Sequence, residues 1–170
     1  MKNAECTHIR PEQLGGNVFE EIGKKWMLIT AGTENGYNTM TASWGAMGVM
    51  WNKPVAIAFI RPQRYTKEFV DREPLFTCSF FPETYRAALN FCGKHSGRDF
   101  DKAKETGLTP VFGPDGGVYF SEAETVLLCR KLYVGQIRQE GFIVPELLAN
   151  YPAQDYHAVY FGEILDVLRK

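Results

Sequence analysis

The sequence predicts a mainly β fold, a β-barrel with inserted helices, and two observations support this. Short runs rich in β-branched and aromatic residues alternate with turn residues along the chain. Only a few stretches have helical spacing, and they do not alternate regularly with the strands as a parallel βαβ sheet requires. The chain has 170 residues. We therefore expect one domain over residues 1–170, in which about 1–16 form a poorly ordered lead-in.

Each predicted strand is a mainly apolar run flanked by turn residues. The predicted strands cover residues 25–33, 37–45, 55–60, 75–81, 108–112, 118–121, 124–135 and 156–167. Asn35-Gly36 favours a tight hairpin between the first two strands. The run at 55–60 is apolar throughout, which is typical of a strand buried on both faces. Gly162 stands within the last strand and indicates a bulge or a close backbone approach. Residues 113–117 are predicted to form a turn.

Helices are expected at 66–70, 82–92 and 96–106, with a short one from Pro145. Thr66 and Ser96 stand where N-cap residues are found, and Gly107 would end the third helix. Each helix start would present free N–H groups and a positive dipole end, which attract anions.

Composition and termini exclude several classes of partner. The formal net charge is −1, so neither nucleic acid nor an anionic membrane is expected as a partner. No apolar run approaches the roughly 20 residues that cross a bilayer. The polar start lacks the apolar region of a signal peptide, so we expect a cytoplasmic protein. The four cysteines are scattered without a metal-binding spacing, which predicts free, mostly buried thiols and no metal site: Cys6, Cys78, Cys92 and Cys129.

Two clusters combine cations, hydroxyls and a predicted helix start, as a phosphate site requires. One covers residues 61–66 and the other residues 94–102. If both face one pocket, they could hold a phosphate group between them. The alternative is that Thr66 and Ser96 are ordinary caps and that the cations are solvated surface.

The strand at 38–43 is unusually small and polar for a core strand. Small residues allow a flat ring to lie against the backbone, and Trp44 would add an aromatic wall. The alternative is a half-exposed strand with a polar outer face. His157 is a lone histidine, which is more often structural than catalytic, and no nucleophile–histidine pair or Rossmann glycine motif is present.

Four segments together resemble the flavin reductase-like, FMN-binding split-barrel proteins, in particular the group that includes flavoredoxin. They are NTMTASWG, NKPVAIAFIRPQRYT, FTCSFF and CGKHSGRDFDKAKETGLT, and the resemblance extends from about Trp26 to the end of the chain. It implies a split β-barrel, non-covalently bound FMN and a homodimer with the flavin near the subunit interface.

The resemblance also implies the residues around the cofactor. Those that would hold the isoalloxazine ring are Asn38, Thr41, Ala42, Ser43 and Trp44. Those that would hold the ribityl-phosphate end are Arg61, Arg64, Tyr65 and Thr66, together with Ser96, Gly97, Arg98 and Lys102. Phe161, in the last strand, is expected to pack near the flavin.

Three functions share this pocket. The first is an NAD(P)H-dependent reductase that passes electrons through FMN to free flavin, ferric iron or another small acceptor. The second is an FMN electron carrier that works with redox protein partners, and the third is a flavin-binding protein without turnover. Because a flavin carries the redox chemistry, no catalytic side chain is expected.

Overall fold

The computed structural model describes residues 6–113 and 116–170, which form an antiparallel barrel with helices packed outside it. The strands are β1 (Thr7–Ile9), β2 (Met27–Thr33), β3 (Gly36–Ala42), β4 (Gly45–Met50), β5 (Lys53–Ile60), β6 (Leu75–Phe80), β7 (Pro110–Phe112), β8 (Val118–Phe120), β9 (Thr125–Gln136) and β10 (Ala158–Arg169). The helices are α1 (Val18–Glu20), which continues into the π-helical turn Glu21–Lys25, α2 (Tyr65–Arg72), α3 (Arg86–Lys94) and α4 (Lys102–Thr106). Short 3₁₀ turns lie at Pro11–Gln13, Glu83–Tyr85, Gln139–Gly141 and Pro145–Asn150.

The main sheet runs in the order β3-β2-β6-β9-β10-β5-β4, and β1 adds to β10. β3 and β4 lie at its two ends and are joined directly through Ser43-Trp44, without pairing with each other among the described residues. The barrel is thus closed by the chain rather than by a continuous ladder, which makes it a split barrel. The predicted mainly β fold with inserted helices is confirmed.

Two apolar clusters hold the barrel and its helices together. The interior includes Ile29, Ala58 and Tyr160, all with no exposed surface. A second cluster, which includes Leu28 and Leu89, lies between the sheet and α3. Neighbouring residues of β2 point to opposite faces, so Leu28 and Ile29 bury both sides of this strand.

The predicted irregularity at Gly162 is confirmed. The pairing of β10 with β9 shifts register between Phe161 and Gly162. A Cβ atom at Gly162 would lie 2.5 Å from the ring of Phe76. The absence of a side chain therefore lets β10 pass over the core at this point.

The structure corrects two predictions about strands. The lead-in is not disordered throughout, because Thr7–Ile9 pair with the end of β10; residues 1–5 lie outside the described residues. The predicted strand 37–45 ends earlier, as β3, and a further strand that was not predicted, β4, follows it before a turn at Trp51-Asn52. Both turn residues have positive φ, 53° and 58°, as in the two-residue hairpin turns that match strand twist.

Both predicted helix caps are wrong. α2 begins at Tyr65 with Arg64 as its N-cap residue, so Thr66 lies inside the helix. Residues 96–100 form a turn rather than a helix, and α4 begins at Lys102 with Asp101 as its cap. The predicted stop at Gly107 is confirmed by its left-handed conformation, with φ 70°.

The remaining predictions concern the cysteines, the turn at 113–117 and membrane-crossing segments. All four cysteines are free thiols, three of them buried, as predicted. The predicted turn at 113–117 includes Pro114 and Asp115, which lie outside the described residues. In the described parts of the chain, no helix has both the length and the apolar character that a membrane crossing requires.

Candidate functional site

The free edge of β3 presents backbone hydrogen-bonding groups. β3 pairs with β2 on one side and is the last strand of the sheet. The Nζ atom of Lys102 donates to the carbonyl of Thr39 at 2.7 Å, so this carbonyl points away from β2. Backbone groups two residues apart point to the same side of a strand, so those of Thr41 lie along the same edge. Polar backbone groups therefore run along this edge towards Ser43-Trp44.

Side chains of this strand are already engaged in packing. The hydroxyl of Thr41 donates to the carbonyl of Leu89 in α3 at 2.5 Å. Ala42 is buried in the barrel interior. Any ligand on this edge would consequently meet backbone rather than hydroxyl groups, and the predicted strand is better described as a backbone platform.

The structure brings together the two clusters that the sequence singled out. Gly97 packs so closely on Asn38 that a Cβ atom would lie 1.9 Å from the amide oxygen. The amide of Asn38 donates to the hydroxyl of Thr66 at 2.9 Å. The guanidinium of Arg98 lies over the ring of Tyr65, 4.6 Å from its centroid. We call this surface, formed by residues 61–66 and 96–98 with Asn38, the cationic corner.

The N-terminus of α2 lies in the cationic corner without a side-chain cap. The side chain of Arg64, at the N-cap position, provides no acceptor for the N–H groups of Tyr65 and Thr66. The hydroxyl of Thr66 is buried and already accepts from Asn38. The corner therefore offers backbone donors and the positive end of a helix dipole to an anion.

Arg64 is a half-buried cation that lacks an anionic partner. Its Nη1 atom donates to the carbonyl of Gly93 at 2.6 Å. Among the described residues, no carboxylate lies within salt-bridge distance of it. Burial, and then the nearby charge of Arg61, lower the pKa of Arg64. An anion bound here would compensate a charge that the protein leaves unpaired.

Arg61 differs from Arg64 because the loop between β9 and β10 neutralises it. Its guanidinium forms a salt bridge with Asp155 at 2.6 Å and donates to the carbonyl of Asn150 at 2.8 Å. It also lies 5.0 Å from the centroid of the Tyr151 ring. Arg61 therefore ties the loop to the cationic corner, whereas Arg64 has no carboxylate partner among the described residues.

Lys102 is directed away from the corner surface. Its side chain is buried, and Nζ donates to the carbonyls of Thr39 and Cys92, at 2.7 and 2.8 Å. Burial lowers the pKa of Lys102 to about 8. The family resemblance implied that the ammonium group of Lys102 binds the ribityl-phosphate end of the cofactor. In this structure the ammonium group instead donates to two backbone carbonyls.

Trp44 borders a cavity of about 560 Å³ at the point where β3 passes into β4. Its ring centroid lies 5.1 Å from that of His157, whose Nδ1 atom is 2.9 Å from the hydroxyl of Tyr151. Because Tyr151 in turn contacts Arg61, these rings connect the cavity to the corner. The described residues that line the cavity are Val18, Phe19, Ile22, Gly23, Ser43, Trp44, Gly45, Ala46, Met47, Phe59 and Ile137. We call it the Trp44 cavity.

His157 is buried and uncharged at neutral pH. Burial, followed by repulsion from Arg61, lowers the pKa of His157 to about 4. The Tyr151 hydroxyl holds its ring in place. His157 is thus a packing residue of the site rather than a proton donor near pH 7.

Phe161 packs against two other aromatic rings. Its centroid lies 5.7 Å from those of both Trp51 and Tyr133, on the outer face of the sheet. Its proximity to a flavin stays a prediction.

A larger cavity, of about 1280 Å³, lies elsewhere, between the N-terminal segment and the hairpin of β4 and β5. Acidic and basic residues both line it, including Glu12, Glu122 and Lys53. None of the predicted site residues is among the described residues that line it. We place the site at the Trp44 cavity because Ser43 and Trp44, which follow directly on the free edge of β3, line it. The contacts of Trp44 with His157, and of Tyr151 with Arg61, link this cavity to the cationic corner.

Sequence reasoning missed two parts of the site. The first is the wall of the Trp44 cavity contributed by α1 and its π-helical turn, where the spacing of Val18 and Ile22 was the only signal. The second is the group of Tyr151 and Asp155 around Arg61. No local pattern marks this loop, because its residues reach Arg61 from about 90 positions away in the chain.

With this geometry established, comparison with known proteins identifies the family. Residues 19–169 match the flavin reductase like domain. The chain belongs to this family. The resemblance inferred from the four sequence segments is thereby confirmed, and the barrel is of the type found in FMN-binding flavin reductase-like proteins.

Solved structures from three organisms share the fold. The FMN-binding protein from Thermus thermophilus is 20% identical, with a TM-score of 0.69 over 95% of this chain and 81% of that one. Flavoredoxin from Methanosarcina acetivorans is 19% identical, with a TM-score of 0.67 over 86% and 68%. The NADH:FAD oxidoreductase from Streptomyces globisporus C-1027 is 18% identical, with a TM-score of 0.64 over 86% and 74%. A search of curated proteins gave no match.

The depressed pKa of His157 predicts acid sensitivity. His157 binds a proton near pH 6.5 in the unfolded chain but only near pH 4 in the folded chain. Its contribution to the free energy of unfolding is therefore fully present above pH 6.5 and is lost as the pH falls towards 4. Between about pH 7 and about pH 5, the wild-type protein should lose about 2 kcal/mol more unfolding free energy than His157→Gln. Urea denaturation at each pH measures the difference. Parallel pH profiles for the two proteins would contradict a buried, neutral His157.

Proposed function

We propose that the protein binds FMN non-covalently and works as a flavin reductase-type oxidoreductase. It would take electrons from NAD(P)H and pass them to flavin, ferric iron or another small acceptor. The observation that carries the proposal is the unpaired cation Arg64 at an uncapped helix N-terminus, which Asn38 links to the free edge of β3. Membership of the flavin reductase like family supports the same cofactor.

The phosphate of FMN would be held in the cationic corner. Arg64 would pair with it, and the first N–H groups of α2 would bond to its oxygens. The neighbouring residues in this proposal are Arg61, Tyr65, Thr66, Ser96, Gly97 and Arg98. Lys102 would act indirectly, since its ammonium group fixes the carbonyls of Thr39 and Cys92.

The isoalloxazine ring would lie against the free edge of β3. Backbone groups of Thr41, Ala42 and Ser43 would bond to its polar edge, with Trp44 alongside. Asn38 would support both halves of the site, because it connects β3 to Thr66 in the corner. The polar edge of the ring thus needs no ionisable side chain.

Bound FMN would supply hydride and one-electron transfer, and the protein would bind, orient and shield it. His157 is neutral at neutral pH and engaged by Tyr151. We therefore propose no catalytic acid or base among the side chains of the site.

A second candidate is an FMN electron carrier that works with redox proteins. The exposed rings of Trp51 and Tyr133 favour it, because a carrier needs an apolar contact surface. Flavoredoxins among the structural neighbours share this fold.

The same outer surface supports a homodimer. Trp51 and Tyr133 are each 52% exposed and form a contiguous aromatic group with Phe161. Covering such rings with a second copy would remove them from water. In a dimer Phe161 would lie at the interface, where the family resemblance places the flavin.

The dimer is tested by changing the aromatic surface. Trp51→Glu should sediment as a single chain while the wild-type protein sediments at twice that mass, since a charge would be buried at the interface. The control Phe112→Glu alters an exposed ring on β7 and should remain dimeric. A wild-type protein that sediments as one chain would contradict the dimer.

Anaerobic spectroscopy tests the enzymatic function. The purified protein should be yellow with about one FMN per chain, and NADH or NADPH should bleach it rapidly because the nicotinamide reduces the flavin. Bleaching by dithionite or reduced ferredoxin alone would favour the carrier instead. A colourless protein that does not take up added FMN would refute both functions.

A further inference from the structure

We infer that the Trp44 cavity is the binding site for the uncharged, planar ring of the second reactant, and that the segment of α1 and the π-helical turn sets its selectivity. This inference rests on the proposed function, since it names the substrate class of that same site. It adds Phe19, Ile22 and Gly23 as residues that contact the reactant.

The first argument is the chemistry of the lining. Of the described residues that line the cavity, none carries a charge, and Ser43 alone has a side-chain hydroxyl. Moving an anionic or cationic group into such surroundings would sacrifice its hydration without a compensating partner. The volume of about 560 Å³ lies within the range of small-molecule sites. The cavity therefore favours a neutral ring.

The second argument is the position of the cavity. Trp44 and Ser43, which border it, end the free edge of β3. Through His157 and Tyr151 the cavity also connects with Arg61 in the cationic corner. A ring held here would lie next to the proposed cofactor position and apart from its phosphate.

The third argument is the exposure of Phe19. This ring borders the cavity and is 82% exposed, so its face is free to contact a ligand. Ile22, one helical turn further along, is buried beside it. A ring entering the cavity would cover part of Phe19 and gain contact with a rigid aromatic surface.

The fourth argument is the unusual backbone of this wall. The π-helical turn Glu21–Lys25 leads directly into Trp26, which has φ 70° and ψ 169°. This conformation is almost confined to glycine, and such strain is often found at functional sites. Arg86 holds it, since its guanidinium stacks 4.4 Å from the Trp26 ring and donates to the carbonyl of Lys24 at 2.8 Å. The C-terminal end of this wall is therefore anchored to the start of α3.

Two glycines provide a matched pair of variants. Apart from its own neighbours in the chain and helix, a Cβ atom at either Gly23 or Gly48 would meet no atom within 4 Å, so packing does not block a side chain from starting at either position. Gly23 borders the Trp44 cavity, whereas Gly48 borders the larger, separate cavity. Gly23→Leu should fill the proposed site, and Gly48→Leu should leave it open.

Equilibrium binding of naphthoquinone and naphthoquinone sulfonate to the purified protein tests the inference by calorimetry. The neutral quinone should bind at least about tenfold more tightly than its sulfonate. Gly23→Leu and Phe19→Ala should each weaken the neutral quinone severalfold or more, and Gly48→Leu should match the wild type. Equal affinity for the two quinones, or no effect of Gly23→Leu, would overturn the inference.

FMN content, measured separately from visible absorbance, distinguishes the two proposals. A protein that holds FMN but does not bind naphthoquinone would overturn this inference alone. A protein without FMN that still shows the difference between Gly23→Leu and Gly48→Leu would refute the proposed function while supporting the ring site.

Discussion

The buried ammonium group of Lys102 is the interaction on which the geometry of the site depends. It donates to the carbonyl of Thr39 on β3 and to that of Cys92 in the last turn of α3. These bonds fix the free strand edge against the end of the helix whose next carbonyl, that of Gly93, receives Arg64. The strand edge and the cationic corner are thus held in one arrangement by a charge in the interior. The lowered pKa of Lys102, about 8, reflects the desolvation that this position requires.

The site combines a strand edge, a helix start and an apolar cavity, and each has a physical reason to lie where it does. The split in the barrel leaves β3 without a second neighbouring strand, so its outer backbone groups are unpaired by the sheet and one of them, the carbonyl of Thr39, bonds to Lys102. α2 starts immediately after β5 and therefore brings its N-terminus to the same end of the barrel. The crossing at Ser43-Trp44 opens a gap that α1 and its π-helical turn cover only in part. Ligand binding is consequently a property of the fold, and the identity of the ligand depends on a few side chains.

Much of the fold could be predicted from sequence, because apolar runs and turn residues are local signals. The strands β2, β5, β6, β9 and β10 and the irregularity at Gly162 all follow from them. The sequence left open whether the two cationic segments face one pocket, because that depends on the tertiary structure. The cap at Thr66 was mispredicted because its hydroxyl accepts a hydrogen bond from Asn38, 28 residues away, rather than from an N–H group of its own helix. The Arg61–Asp155 pair and the wall beside Trp44 have no local signature, since each depends on contacts between distant segments.

The most direct test of the account compares the affinities of FMN and riboflavin for Arg64→Gln. If Arg64 pairs with the phosphate, FMN affinity should fall roughly tenfold to a hundredfold, because one charge-assisted contact is lost. Riboflavin lacks the phosphate, so its affinity should stay within about twofold of the wild type. Arg130→Gln is the matched control, since Arg130 pairs with Glu163 on the sheet and should affect neither ligand. Equal losses for FMN and riboflavin in Arg64→Gln would contradict the assignment of the cationic corner as the phosphate site.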